Sequence, residues 1–415
     1  MKISCLIGSS QIHHLALSSN AKRPLCGLFL FATSDTIMQK EKKYMKTCGI
    51  ICEYNPFHNG HKYQIEQTKK RTNADVMLAV MTGHFTQRGE PAFIDKWQRA
   101  EAAIHNGIDV VIELPYIYST QAASQFAQGG VDILKLCNVD YISFGSECGN
   151  LENLKEIAET PVNLNHIREI MDTGVSFPKA YSLLTSAMEP NDILAVCYLK
   201  AIQDTTIKPI LIERNTGYFD ESIQHIASAY AIRKAIQNKQ SISNCTPMAE
   251  QITNANHVTM ERFYPYIRTM LLMTPSEKLS TYFLITEGIE NHLKKSAEKN
   301  ATYEGFLSDC ITYRYTASKI RRCLVQMMMQ ITKEYVKNLP NMDTIRILAF
   351  NDTGRQWLHE KRKADIHVAS RFADVPEIYR KMEYQATQLY TSALPENVKQ
   401  KLLKEEIRGA HYIKD

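Results

Sequence analysis

From Met45 onward, short apolar runs alternate with amphipathic stretches, and a polar segment follows almost every run. Ile50-Ile51-Cys52 (after Gly49), Asp75 to Met81, Asp109 to Leu114 and Asp140 to Gly145 have the length and near-continuous apolar character of strands buried on both faces. Helix-forming stretches separate them: Lys62 to Arg71, Lys96 to His105 stopped by Asn106-Gly107, and Gln121 to Cys137. Strand starts near 49, 76, 109 and 140 are 27, 33 and 31 residues apart, the spacing of βαβ units in a parallel sheet. A helix capped by Pro190-Asn191-Asp192, a strand from Lys208 to Glu213 and a helix starting at Ser228 extend the pattern.

Beyond about residue 240 the strand signal fades. Met260 to Met273, interrupted at Pro265, Glu277 to Lys295, and Tyr303 to Gln330 predict amphipathic helices. A short strand, Ile345 to Phe350, a loop at Asn351 to Gly354 and the basic segment His359 to Lys363 follow. The expected class is α/β: a Rossmann-like parallel-sheet domain over residues 45–240, then a mostly helical domain over 241–415.

The first 44 residues differ from the rest, with one apolar patch, Cys26 to Ala32, and a charged end, Lys40-Glu41-Lys42-Lys43. That patch is too short to span a bilayer and too far from the start for a signal peptide. Met45-Lys46-Thr47 leads straight into the first strand, so we read Met45 as the functional start and residues 1–44 as a disordered or mis-called extension. The 44% hydrophobic and 22% charged content is that of a soluble protein. A net charge of +5 is compatible with a polyanionic partner. The ten cysteines form no CxxC pair and no metal-ligand spacing, which points to free thiols and a reducing cytoplasm, and no metal site is expected from protein residues.

The densest chemistry lies in Gly49 to His61, GIICEYNPFHNGH. Pro56 ends the strand, and His-Asn-Gly-His opens a helix. A helix start with unpaired N–H groups and a positive dipole end suits phosphate, and His58 and His61 can both donate to one polyphosphate. An HxGH element after the first strand resembles the signature of the HUP-type nucleotidyltransferase superfamily. There the histidines stabilise charge on the α-phosphate and leaving pyrophosphate. Ser228 to Arg233, SAYAIR, resembles that superfamily's second phosphate element with its second serine and threonine missing. In Tyr313-Arg314-Tyr315-Thr316-Ala317-Ser318-Lys319-Ile320-Arg321-Arg322, bases and rings interleave, either an RNA contact or a solvated helix face.

Taken in order, GIICEYNPFHNGH, VMTGHFTQRGEPA, VIELPY, FGSE, NDIL and the segment from Tyr313 to Arg322 resemble the bacterial tRNA(Met) cytidine acetate ligase family. The resemblance implies that acetate and ATP, with Mg²⁺, give acetyl-adenylate and pyrophosphate. The acetyl group then passes to the exocyclic amine of the wobble cytidine of elongator tRNA(Met). It implies no membrane and no obligate protein partner. It places ATP on Ile51, Cys52, Glu53, Tyr54, Asn55, Pro56, Phe57, His58, Asn59, Gly60, His61, Lys62, Tyr63 and Gln64, with Gly145, Asn191 and Arg214. His58 and His61 are its catalytic pair, and Arg314, Lys319, Arg321 and Arg322 are candidate tRNA contacts. Pro190 stands where the family more commonly has a small polar residue. No Mg²⁺ ligand or general base is identifiable; His84 and Glu90 are the bases considered, with a plain loop hydrogen bond the preferred role for His84. Two other readings remain: a nucleotidyltransferase that adenylates or cytidylates a small phosphorylated metabolite, and a non-enzymatic RNA binder.

Overall fold

The structure, a computed structural model, describes residues 44–160, 169, 188–214, 224–364 and 366–414; the expectation for the N-terminal extension lies outside them. Five parallel strands form the centre: β1 (Thr47–Cys52), β2 (Val76–Thr82), β3 (Val110–Leu114), β4 (Tyr141–Ser146) and β5 (Lys208–Glu213). Between and after them lie α1 (Asn59–Thr72), α2 (Lys96–His105), α3 (Tyr116–Ser119), α4 (Ala123–Leu136), α5 (Leu151–Glu159), α6 (Pro190–Ile202) and α7 (Ala229–Gln237). The later helices are α8 (Ala249–Asn254), α9 (Met260–Met273), α10 (Ser276–Leu279), α11 (Ile289–Lys299), α12 (Tyr303–Cys310), α13 (Ala317–Met328) and α14 (Lys333–Lys337). The chain closes with β6 (Thr344–Phe350), α15 (Asp352–Lys363), β7 (His367–Ala369), α16 (Glu377–Thr391), α17 (Glu396–Arg408) and β8 (His411–Tyr412).

Strand order is β5-β4-β1-β2-β3-β6-β7, with β8 beside β6. The chain steps from β1 to β2 and β3 on one side, then returns to β4 on the other. That reversal leaves a crevice at the carboxyl ends of β1 and β4, the place where such sheets bind ligands.

Alternation along the strands builds the two faces. Ile50, Met77, Ala79, Met81 and Val111 join one buried cluster, while Ile51, Leu78, Val80, Val110 and Ile112 join the other. The second cluster holds Phe126, Val131 and Leu134 of α4, Val196 and Leu199 of α6, and Trp357 of α15. The first holds Ile65 of α1 and Trp97 of α2, and runs on without a break into Phe263, Leu293, Phe306 and Leu324 of the helical half. An aspartate just before each of β2, β3 and β4 fixes an N–H at or near the start of the neighbouring strand. Asp75 accepts from Lys46 at 2.9 Å, Asp109 from Met77 at 2.7 Å and Asp140 from Thr47 at 2.7 Å.

The structure departs from the sequence expectations in the later half. β6 joins the main sheet antiparallel to β3, so residues 45–415 form one compact unit whose sheet spans both halves. The single helix expected from Glu277 to Lys295 is two, because Leu284, Glu287 and Gly288 between α10 and α11 take left-handed backbone conformations. Pro265 sits inside an unbroken α9. Asn351, expected in a loop, caps α15 by accepting from Gly354 N–H at 2.9 Å.

A buried ionic cluster ties the last strands to the sheet. Glu113 of β3 and Glu406 of α17 each meet both Lys96 of α2 and Arg346 of β6, at 2.6 to 2.8 Å. Glu383 of α16 lies beside them, accepts from Tyr116 N–H at 2.7 Å, and is pushed up to about 8 by burial and by the Glu113 charge, so it is neutral at pH 7. Two cations then face two anions.

The helical half also meets the loop after β2. Arg321 pairs with Glu90 at 2.8 Å, Arg322 donates to the Gln87 carbonyl at 3.3 Å, and Gly89 (φ +75°) lies against the α13 backbone. A Cβ on Gly89 would fall 2.6 Å from the Arg321 carbonyl carbon, so backbone would have to move. Gly89→Ala is therefore expected to cost at least about 2 kcal/mol by urea unfolding, from left-handed strain plus that clash. A cost below about 0.5 kcal/mol would show that the loop does not seat there.

Candidate active site

The site begins where β1 ends. Tyr54 takes a positive φ of 47° and turns the chain; its buried ring stands edge-on to Phe57 and His61 at 4.9 and 4.8 Å. His58 is the N-cap of α1. Its Nδ1 accepts from Gly60 N–H at 3.1 Å, and His61 Nδ1 accepts from His58 N–H at 3.2 Å, a capping box made of two imidazoles. The rings stack with centroids 3.6 Å apart.

This arrangement settles the protonation of the pair. Burial, with the Arg214 and Arg233 guanidiniums, pushes His58 down to about 3. Burial, His58 and Arg214 hold His61 well below the usual imidazole value. Both rings are neutral at pH 7, and because each Nδ1 accepts, each proton sits on Nε2. Two Nε2–H donors, with no partner among the described residues, therefore stand side by side at the crevice.

The open helix start expected from the sequence is not what supplies the donors. Asn59 N–H donates to the Cys245 carbonyl at 3.0 Å, Gly60 N–H to His58, and His61 and Lys62 N–H to the His58 carbonyl at 2.9 and 3.2 Å. The first-turn N–H groups are already used, so the paired imidazoles take over their role.

Opposite the histidines, the β4 and β5 ends form a second wall. Arg214 lies across Gly145, where a Cβ would sit 3.2 Å from its Cγ; the absent side chain makes room for the arginine. Glu147 pairs with Arg214 Nε at 3.7 Å and takes hydrogen bonds from the Asn191 side chain and backbone N–H. Asn191 is thus not the α6 cap, which is Glu189; it stands in the first turn, anchored through Glu147 to Arg214. Buried Asp192 accepts from Ser146 Oγ and from the backbone N–H groups of Glu147 and Cys148, fixing the β4 turn. Gly145, Asn191 and Arg214 thereby form one cluster, and Arg214 is close enough to depress both histidines.

Other members of the stretch expected to hold ATP have structural duties. Ile51 packs into the α4 core and Cys52 is buried. Asn55 Oδ1 accepts from Phe93 N–H at 2.7 Å, and Asn59 donates to the His225 and Asn244 carbonyls at 2.9 and 2.8 Å. Glu53 accepts from Gln87 N–H at 2.7 Å, and burial raises its pKa. Pro56 and Phe57 are buried, Lys62 is exposed, Tyr63 is half-buried, and Gln64 reaches the Ser143 carbonyl at 3.4 Å.

Neither candidate base faces the crevice. His84 is buried and stacked on Tyr390 at 4.4 Å with no hydrogen bond on either ring nitrogen, so the loop hydrogen bond expected for it is absent, and burial keeps it neutral. Glu90 is held by Arg321. Of the four candidate RNA contacts, Arg314 is exposed beside Glu287 at 3.3 Å. Lys319 donates to the Leu284 carbonyl at 2.8 Å, Arg321 serves Glu90, and Arg322 is buried.

Of two further arginines at the site, the sequence offered Arg233 through the SAYAIR element and passed over Arg99. Arg233, the last residue of SAYAIR, donates to the Asn55 carbonyl at 2.7 Å and adds positive potential at His58. Fully buried Arg99 donates to the carbonyls of Glu53, Thr82, Gly83 and Ile94, clamping the ends of β1 and β2. Nothing local set it apart from Lys96, Gln98 and Glu101 on the same helix.

The low pKa of His58 has a stability consequence. Its folded value lies below the unfolded 6.5, so the unfolded chain binds one more proton between about pH 6.5 and 3, and stability falls as pH drops through that window. His58→Gln should make the pH dependence of urea-unfolding free energy shallower by about 1.4 kcal/mol per pH unit between 6 and 4. Identical slopes would mean that His58 titrates normally.

A switch point with paired HxGH imidazoles on one side and Arg214 on the other is the arrangement expected of a nucleotidyl transferase, and residues 45–406 match the family model described as HIGH Nucleotidyl Transferase. The tRNA(Met) cytidine acetate ligase of Oceanobacillus iheyensis is 34% identical over 398 residues, covering 88% of this chain and 99% of that protein. That of Lysinibacillus sphaericus is 36% identical over 390 residues, covering 85% and 96%. Thermotoga maritima TmcAL bound with alpha-thio ATP superposes with a TM-score of 0.78 at 27% identity, covering 89% of this chain and all of that one. The chain belongs to the tRNA(Met) cytidine acetate ligase family of HIGH nucleotidyl transferases.

Proposed function

We propose that this protein activates acetate with ATP and acetylates the exocyclic amine of the wobble cytidine of elongator tRNA(Met). The observation that carries the reading is the neutral histidine pair, whose two Nε2–H donors have no partner among the described residues and lie within reach of the Arg214 charge. An acetate oxygen attacks the α-phosphorus in line, the bond to the bridging oxygen breaks, and pyrophosphate leaves. His58, His61 and Arg214 hold the charge that builds on the phosphate oxygens. The cytidine amine then attacks the acetyl carbon; AMP departs, and the amine's proton passes to solvent or to the leaving phosphate. Gly145, Asn191 and the Glu53 to Phe57 turn line the remainder of the nucleotide's place.

Mg²⁺ is the expected companion of ATP. Among the described residues no group of three or more His, Cys, Asp or Glu could cage a metal. Such an ion would depend on phosphate and water oxygens, and no step is assigned to it. No helix among the described residues is long and apolar enough to cross a membrane. The described cysteines are all free, which supports a cytoplasmic setting.

The test is mass analysis of nucleosides from elongator tRNA(Met) incubated with the protein, ATP and acetate. Acetylated cytidine that requires both small substrates is expected. Its absence, with intact fold and bound ATP, would overturn the reading.

A further inference from the structure

The exposed face of α15 carries Arg355, His359 and Arg362 at helical spacing i, i+4 and i+7. They line a groove of about 350 Å³ with Phe350, Leu358 and Ser370. No acidic side chain is among the residues lining it. Arg355 pairs with Asp352 at 2.7 Å and lies over the Tyr412 ring at 5.2 Å, and Arg362 donates to Ser370 Oγ. The Arg355 side chain remains 62% exposed, and a surface pair of this kind holds a charge weakly enough for it to serve a second anion.

The groove's place in the fold gives it a partner. β6 runs against β3, so α15, which follows β6 and leads into parallel β7, travels from the sheet's amino edge toward its carboxyl edge. Arg362 and Lys363 therefore lie nearest the edge that holds His58 and Arg214. β6 is three strands from β1, roughly 14 Å at ordinary strand spacing. The stripe itself is roughly 10 Å long. The groove's other end, with Phe350 and Arg355, lies at the amino edge, because Phe350 pairs with Val110 at the start of β3, so a duplex seated in it runs from the crevice side toward that edge. The internal use of Lys319, Arg321 and Arg322 leaves α13 little charge to offer it.

We infer that the Arg355–His359–Arg362 groove binds the sugar-phosphate backbone of the tRNA substrate, where its stem runs from the crevice toward the sheet's amino edge. The inference rests on the tRNA reading above. Guanidinium forks suit phosphate oxygens, and such contacts fix register without reading sequence.

The test compares wild type with the Arg355→Gln/Arg362→Gln double variant by fluorescence anisotropy on labelled tRNA(Met) across a salt series. Kd should rise about tenfold at physiological salt, and the slope of log K against log salt should shrink by about 1.5, two phosphate contacts being lost. Acetate-dependent ATP–pyrophosphate exchange without tRNA should be unchanged, because neither residue touches the crevice. An Arg355→Lys/Arg362→Lys variant should recover most of the salt slope. Equal Kd and slope in wild type and the Gln variant, with wild type binding and acetylating tRNA, would overturn the groove alone. Failure of wild type to bind tRNA would overturn the functional reading and this inference together.

Discussion

Replacing His61 by alanine is expected to lower acetate-dependent pyrophosphate release by about 100- to 1,000-fold, the usual effect of deleting one preorganised donor to a developing anion. The structure explains why the loss should fall on chemistry. His61 is neutral, its Nδ1 is occupied by His58 N–H, and its Nε2–H is left for a phosphate oxygen. The same substitution removes one half of the α1 capping box, which costs about 1 kcal/mol of stability and leaves the fold intact. Pre-steady-state release of pyrophosphate, with a thermal scan as the fold control, separates the two effects. A folded variant within about fivefold of wild type would remove His61 from the catalytic pair.

The second large effect is structural. Glu406→Gln is expected to destabilise the fold by about 3–5 kcal/mol, because it strips one anion from a buried four-charge cluster and leaves Lys96 and Arg346 sharing Glu113. Glu406 is fully buried, is held well down, to about 2, by Arg346 and Lys96 against the cost of burial, and also accepts from Thr387 at 2.8 Å. Glu383→Gln provides the contrast. Glu383 is already neutral at pH 7, so its amide should cost less than about 1 kcal/mol. Urea unfolding of the two variants at pH 7 tests the assignment; equal losses would mean that the charges are arranged differently.

What the sequence disclosed, and what it hid, follows from range. The strands of the parallel sheet and the HxGH turn were legible because period, length and capping are local properties of a few neighbouring residues. Lys208 to Glu213 falls on β5 to the residue, and Ser228 caps α7 by accepting from Ala231 N–H at 3.0 Å. The attachment of β6 to β3 was not legible. It depends on pairs such as Glu113 with Arg346, 233 residues apart, which no window contains. The fate of the Tyr313 to Arg322 segment was hidden for a related reason. Charge alone cannot tell a solvated arginine from one spent on a loop, and Glu90 and the Gln87 carbonyl claim Arg321 and Arg322 from far along the chain. At the site, local reasoning found the two imidazoles yet credited the helix's N–H groups, because it could not see that the imidazoles themselves and the Cys245 carbonyl occupy those groups.

On the proposed function, the site joins acetate to the α-phosphate of ATP before any RNA is involved. This step is tested most directly by exchange of labelled pyrophosphate into ATP, measured with the protein alone, with acetate, and with acetate plus tRNA(Met). Exchange is expected to require acetate, to proceed without tRNA and to disappear in His61→Ala. Exchange that ignores acetate, or that starts only when a phosphorylated metabolite is supplied, would contradict the proposed function.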